Sequence, residues 1–208
     1  MGSRDTGELA DRVLEVLRER FTFPVEASGR HVHLSGPHVA ALFGEGHVLS
    51  PARPLSQPGQ FLCEERVTLV GPKGEIRNVA VLGPERGRTQ VEVSLTDGAA
   101  LGIQVPVRES GQVEGTPGVL LVGPRGEVQL EEGLIAALRH IHMDPLDAAL
   151  LQVRDGQTVS VRVEGDRPVI FEQVLVRVSP KFQLAMHIDY DEANACGYRM
   201  GVRGRLVP

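Results

Sequence analysis

Four of the seven histidines stand in two His-x-His pairs, His31-Val-His33 and His140-Ile-His142. On a β-strand, residues i and i+2 point to the same face, so each pair can aim two imidazoles at one point. Imidazoles gathered this way bind transition metals. A third donor from a neighbouring strand would complete a site with one position open. Three protein ligands and an open position describe catalytic zinc, whereas structural zinc is usually closed by four.

An internal repeat supplies the third donors. Arg30-His-Val-His33 recurs as Arg139-His-Ile-His142, at an offset of 109 residues. Val67-Thr-Leu-Val70 corresponds to Val159-Ser-Val-Arg162, and Val79-Ala-Val81 to Val174-Leu-Val176. Val91-Glu-Val-Ser94 then matches Met186-His-Ile-Asp189, and the stretch Asp97 to Gly102 matches Glu192 to Gly197. Most of the length difference between the copies lies in an insertion within residues 44–63. In this register Glu92 and His187 are equivalent. The chain therefore presents one His-His-Glu set (His31, His33, Glu92) and one His-His-His set (His140, His142, His187). Imidazole and carboxylate without thiolate suit zinc, and also manganese, iron, cobalt or nickel. A cupin-type site would want a glutamate three or four residues after the second histidine, where residues 34–39 read Leu-Ser-Gly-Pro-His-Val. His38 and His47 have no such partner and are expected at the surface. Cys63 and Cys196 form no disulfide framework and are expected as reduced thiols, Cys63 buried.

Strands must position these residues, and strand signals dominate the chain. Val67–Val70, the turn Gly71-Pro-Lys-Gly74 and Glu75–Leu82 read as strand, turn, strand. Val119–Leu130 and Val159–Val178 repeat the pattern. Helices are expected to be few. An amphipathic one covers residues 8–21 and is stopped by Pro24. Shorter ones are expected over 37–43 and 131–139, with helical turns near 144–151 and 190–197.

Composition sets the outer bounds. Among 208 residues, 22 Lys and Arg face 27 Asp and Glu, for a net charge of −5, and 41% are apolar. That excludes disorder as the dominant state. The acidic balance and 4% aromatic content argue against nucleic-acid binding. No apolar run reaches the ~18–20 residues of a membrane span, and charges near the N-terminus interrupt any signal-peptide core. The expected location is the cytoplasm.

Longer motifs carry a resemblance. Arg30-His-Val-His-Leu-Ser35, Leu55-Ser-Gln-Pro-Gly-Gln-Phe61, Val81-Leu-Gly-Pro84 with Arg86, and Thr89-Gln-Val-Glu-Val-Ser94 are followed by Pro106-Val-Arg-Glu-Ser-Gly111 and Met186-His-Ile-Asp-Tyr-Asp-Glu-Ala-Asn194. Together they closely resemble the propanediol-utilisation-type phosphate acyltransferases (phosphate propanoyltransferases), from about residue 8 to 200. The resemblance implies an all-β fold with short flanking helices and two tandem β-barrel domains. These would be residues 30–138 and 139–208, with the strand at 23–29 packing onto the second and an N-terminal amphipathic helix over 1–22. It implies two zinc ions per chain on the six residues already named, and reversible conversion of acyl-CoA and phosphate to acyl phosphate and CoA. It places a phosphate-handling arginine at Arg86 and CoA contacts at Ser28, Arg53, Leu82 and Asn194. Ser28-Gly29-Arg30 departs from the family, where an Asn usually precedes the Arg.

The residue types suit that reaction. Zinc binds thiolate well and acts as a Lewis acid, and a guanidinium recognises phosphate in a planar, bidentate way. The Gly- and Pro-rich insertion at 44–63 reads as a cover or channel wall for the site, or as a rigid surface connection. Relatives can carry an N-terminal extension that targets a bacterial microcompartment, with shell or cargo proteins as partners. Here the helix runs into Pro24 without a linker, which favours a docked helix. A homo-oligomer is compatible with the sequence. Two other readings share the six ligands: a metal-dependent hydrolase of thioesters or acyl phosphates, and a non-enzymatic metal-binding assembly barrel.

Overall fold

The computed structural model describes residues 21–207. The helix expected over residues 1–22 thus lies outside the described residues, save Phe21 and Thr22, which carry no regular structure. The described residues form strands β1 (Phe23–Ala27), β2 (His31–Ser35), β3 (Pro51–Pro54), β4 (Phe61–Val70), β5 (Glu75–Arg86), β6 (Gln90–Glu92), β7 (Val107–Arg108), β8 (Leu120–Val122), β9 (Glu127–Gln129), β10 (Leu134–Ala137), β11 (His140–Met143), β12 (Thr158–Val163), β13 (Val169–Val178), β14 (Ala185–Ile188) and β15 (Arg203–Val207). Four short helices accompany them: α1 (Gly36–Phe43), α2 (Leu95–Leu101), α3 (Pro145–Leu151) and α4 (Tyr190–Cys196). No helix among the described residues is long and apolar enough to cross a membrane.

The chain is all-β with short helices and divides into two compact units. The larger comprises Ser28–Leu138 and Asp189–Asp191; of the described residues, the other holds 21–27, Arg139–Ile188 and 192–207. Ser28 and Gly29, read from the sequence as the end of the first strand, fall in the larger unit, because that strand stops at Ala27.

The smaller unit is a closed barrel in the order β1-β14-β11-β13-β12-β15, sealed by β15 pairing back onto β1. Alternation fills it: Ile141 and Met143, Val174 and Val176, and Met186 and Ile188 turn inward and are buried. The histidines between them face the other way. The larger unit is a curled half-barrel sheet, β7-β10-β6-β2-β5-β4-β8-β9, with β3 on β4. Val32, Leu34, Val79, Val81, Val91 and Val93 belong to its core. Burying each such side chain stabilises by about 1.5–3 kcal/mol relative to exposure.

Both units carry the repeat in their register. His31 pairs with Ala80 on a parallel neighbour and with Glu92 on an antiparallel one. His140 likewise pairs with Leu175 and His187. Each of the strands bearing these candidate ligands leads into a helix. Ser94 and Asp97 form a reciprocal capping box on α2, and the Asp144 side chain accepts from the Leu146 and Asp147 N–H groups on α3. Such caps contribute about 1 kcal/mol each. The turns after β4 and β12 dock against helix C-termini. Lys73 N–H donates to the Leu101 carbonyl and Arg167 N–H to that of Cys196, at 3.0 and 3.1 Å. A Cβ at Gly71 or Gly165 would lie 2.3 or 2.2 Å from those carbonyl oxygens, so only glycine permits the approach.

The helix expected over 131–139 is instead β10, running parallel to both β6 and β7. Leu134, Ile135 and Ala136 are all buried, and a strand covered on both faces reads as an unbroken apolar run without alternation.

Candidate metal centres

In the larger unit, His31 and His33 share one face of β2, and Glu92 stands directly across from His31 on β6. Directly opposed residues on antiparallel strands bring their side chains within contact distance. One ligand atom from each of His31, His33 and Glu92 lies within 4.8 Å of the others, and all three residues are buried. Among the described residues this is the one group of His, Cys, Asp and Glu side chains that meets so closely.

The trio has the orientation a metal ligand set requires. His31 Nδ1 lies 2.7 Å from the Gly29 carbonyl, so the proton sits on Nδ1 and Nε2 turns to Glu92 Oε2, 3.5 Å away. Glu92 Oε1 accepts from Gln90 Nε2 at 2.6 Å and from the Ser110 hydroxyl at 3.0 Å. His33 Nδ1 is buried and makes no hydrogen bond. Burial, then the neighbouring His31 and Arg86, push the His33 pKa down to about 3, so its ring is neutral and keeps a lone pair. For His31 the burial penalty on the charged form is outweighed by Glu92, and its pKa is raised. A bound cation would take the place of that extra proton. A buried His33 lone pair with no donor, a His31 nitrogen whose extra proton a cation would replace, and one oriented carboxylate fit a divalent metal such as zinc.

The barrel holds the second trio. His140, His142 and His187 have ring centroids 4.6, 5.2 and 5.0 Å apart. Their donor atoms do not converge as tightly as those of the first set. His142 packs on Phe182 at 4.2 Å. The Glu26 carboxylate, on the register partner of His187, lies 3.8 Å from its Nδ1. A carboxylate beside one ring nitrogen leaves the other to a metal.

The arginine preceding each pair has a structural role that the repeat shares. Arg30 reaches Asp97 at 3.2 Å, and Arg139 reaches Glu192 at 2.5 Å. Each ties the start of a His-x-His strand to the helix that follows the third ligand.

Arg86 ends β5, opposite Ser35, after an irregularity in which the register passes from His33–Leu82 to Ser35–Arg86. Such bulges re-aim side chains. Its charge acts on both His31 and His33, disfavouring their protonation. Leu82 is the register partner of His33, and Leu62 joins Leu82 to Arg53. Arg53, Leu62, Leu82 and His33 thus form one row across the sheet. Ser28 precedes the Gly29 carbonyl that orients His31. Asn194 is exposed on α4, in the barrel's unit.

His38 and His47 are not the unpartnered surface residues expected. His38 Nδ1 lies 2.7 Å from Thr89 Oγ1. His47 stacks on Phe43 and its Nε2 lies 2.7 Å from Glu65. Glu65 also accepts from Ser50 N–H, at 3.0 and 3.1 Å, so this carboxylate anchors the segment preceding β3. Its hydrogen bonds outweigh burial and hold its pKa below the usual carboxylate value. Both cysteines are free and buried, and burial raises the Cys63 pKa to about 11. Gln90, Ser110, Gly29 and Glu26 were not singled out from the sequence. Gln90 could have been, since it lies two residues before Glu92 and on the same face. The others meet the ligands through backbone conformation or strand pairing.

The chain is similar to known proteins along most of its length. Residues 24–199 match the family model described as phosphate propanoyltransferase. Phosphate propanoyltransferase of Listeria monocytogenes is 60% identical over 183 residues, covering 88% of this chain and 86% of the relative. That of Enterococcus faecalis is 55% identical over 202 residues, covering 96% of each. That of Salmonella typhimurium is 52% identical over 187 residues, covering 89% and 88%. With matches of this extent, the chain belongs to the phosphate propanoyltransferase family and is an acyltransferase.

Proposed function

We propose that this enzyme interconverts a short-chain acyl-CoA and phosphate with an acyl phosphate and CoA, using two zinc ions per chain. His31, His33 and Glu92 would hold one, and His140, His142 and His187 the other. The convergence of the buried first trio beside Arg86 carries the reading. When bound, zinc would supply Lewis acidity and an affinity for the CoA thiolate.

In the forward direction a phosphate oxygen bonds to the thioester carbonyl carbon, the carbon–sulfur bond breaks, and CoA leaves as its thiolate. Arg86 would grip phosphate through two N–H donors and offset the charge that builds on the carbonyl oxygen. Its guanidinium stays protonated throughout, so it binds and orients without moving a proton. The row formed by Arg53, Leu82 and His33 would give CoA a cationic contact for its phosphates and an apolar one in line with the first trio. Ser28 and Asn194 complete the proposed CoA contacts. Residence in the cytoplasm or within a microcompartment is compatible with this chemistry.

The test is thiol release from propionyl-CoA and acetyl-CoA, with and without phosphate. Release that requires phosphate supports the proposal. Release at the same rate without phosphate would replace it with a thioester hydrolase. No release from protein holding two metals per chain would reject the reaction while leaving the metal sites.

A further inference from the structure

The segment Pro106–Gly111 has no part in the reading above, yet it closes on a metal-ligand residue. Val107 and Arg108 form β7, parallel to β10, and β10 in turn pairs with β6 beside Glu92. Pro106 and Arg108 carbonyls accept from Ala136 and Leu138 N–H groups at 3.0 and 2.8 Å, fixing the segment to the sheet edge. The chain then turns back. Gly111 N–H donates to Gln90 Oε1 at 2.7 Å, which sets the Gln90 amide so that its Nε2 faces Glu92. Gln90 Nε2 lies 2.6 Å from Glu92 Oε1 and 2.8 Å from Ser110 Oγ. Ser110 Oγ closes the ring by donating to Glu92 Oε1 at 3.0 Å. Gln90 is buried, so its amide must find partners inside the protein.

We propose that Gln90 and Ser110, held by the Pro106–Gly111 segment, are positioning residues for the metal site of the larger unit. They occupy Oε1 of Glu92, so the carboxylate presents Oε2 alone toward His31 and His33. They touch neither substrate nor metal and act through Glu92. The barrel differs at the register of Gln90: that position, opposite the second histidine, is taken there by Ala185, opposite His142.

This inference rests on the reading of His31, His33 and Glu92 as metal ligands, and the experiment separates the two. Metal-free full-length protein is titrated with zinc against a chromophoric chelator, for wild type, Ser110→Ala, Ser110→Thr, Gln90→Leu and Glu92→Ala. Ser110→Ala and Gln90→Leu should each weaken one of the two zinc sites by about 10–100-fold and leave the other unchanged. Ser110→Thr, which keeps the hydroxyl, should restore wild-type affinity, a rescue that mere loss of packing would not give. Glu92→Ala should lose one zinc outright. If Glu92→Ala loses a zinc while Ser110→Ala and Gln90→Leu bind both as wild type does, the clamp is wrong. If Glu92→Ala itself binds both zincs normally, the ligand reading fails first.

Discussion

The strand carrying His31 and His33 and the strand carrying His140 and His142 have the same neighbours in the same directions. Each has a parallel strand on one side and, on the other, an antiparallel strand bearing the third ligand. Each is preceded by an arginine bound to a carboxylate on the helix that follows the third donor. The halves differ in what holds the third ligand. Glu92 is fixed by Gln90 and Ser110. His187 instead faces Glu26 on β1, through parallel pairing of β1 with β14. The repeated backbone thus determines where ligands stand, and unrepeated parts of each half determine how they point. A duplicated frame can in this way hold two sites of different charge and tightness.

The largest effects should come from breaking each half in turn. His33→Ala and His142→Ala should each reduce phosphate-dependent thiol release by at least about 10²–10³-fold, since each loses groups that act on developing charge. Near wild-type turnover in one of them would show that its half is not needed. Arg86→Ala should fall by about 10²–10³-fold as well, but with its zinc content intact, which elemental analysis would check. Loss of zinc along with activity would make Arg86 a structural residue of the site.

Glu26→Gln sharpens the comparison from the other side. At 3.8 Å its carboxylate is a looser partner than the Gln90–Ser110 pair, so the second site should weaken by less than about tenfold. A loss greater than that of Ser110→Ala would reverse the ranking of the two supports.

The smallest effect concerns the segment before β3. Glu65 has a pKa below the usual carboxylate value because hydrogen bonds from His47 and Ser50 outweigh burial. A depressed carboxylate pKa gives stability that is present above the unfolded value, about 4.3, and is lost as pH falls through the folded value. Glu65→Gln should therefore cost about 1–3 kcal/mol at neutral pH and progressively less in acid, read by denaturant unfolding. An equal deficit at both pH values would contradict the sign.

The sequence exposes the candidate ligands because their spacing is local. His-x-His needs only a strand to place both rings on one face, and the repeat carried Glu92 and His187 into matching positions. The strand pairings reproduce that register, down to Ala80 and Leu175 in corresponding places. Leu134–Ala137 reads as helical in the sequence because a strand buried on both faces lacks the alternation that identifies strands. Ser110 and Glu26 were invisible for another reason. Ser110 lies 18 residues from Glu92, and Glu26 reaches His187 across a pairing that no turn announces. His47 likewise meets Glu65 only after the insertion folds back onto β4.

On the proposed reading the two halves are equivalent metal frames within one enzyme, each holding one zinc. The most direct check is to count zinc per chain in wild type, His33→Ala and His142→Ala after removal of loosely bound metal. The expected counts are two, one and one. A wild-type count of one, or both variants losing the same single zinc, would contradict it.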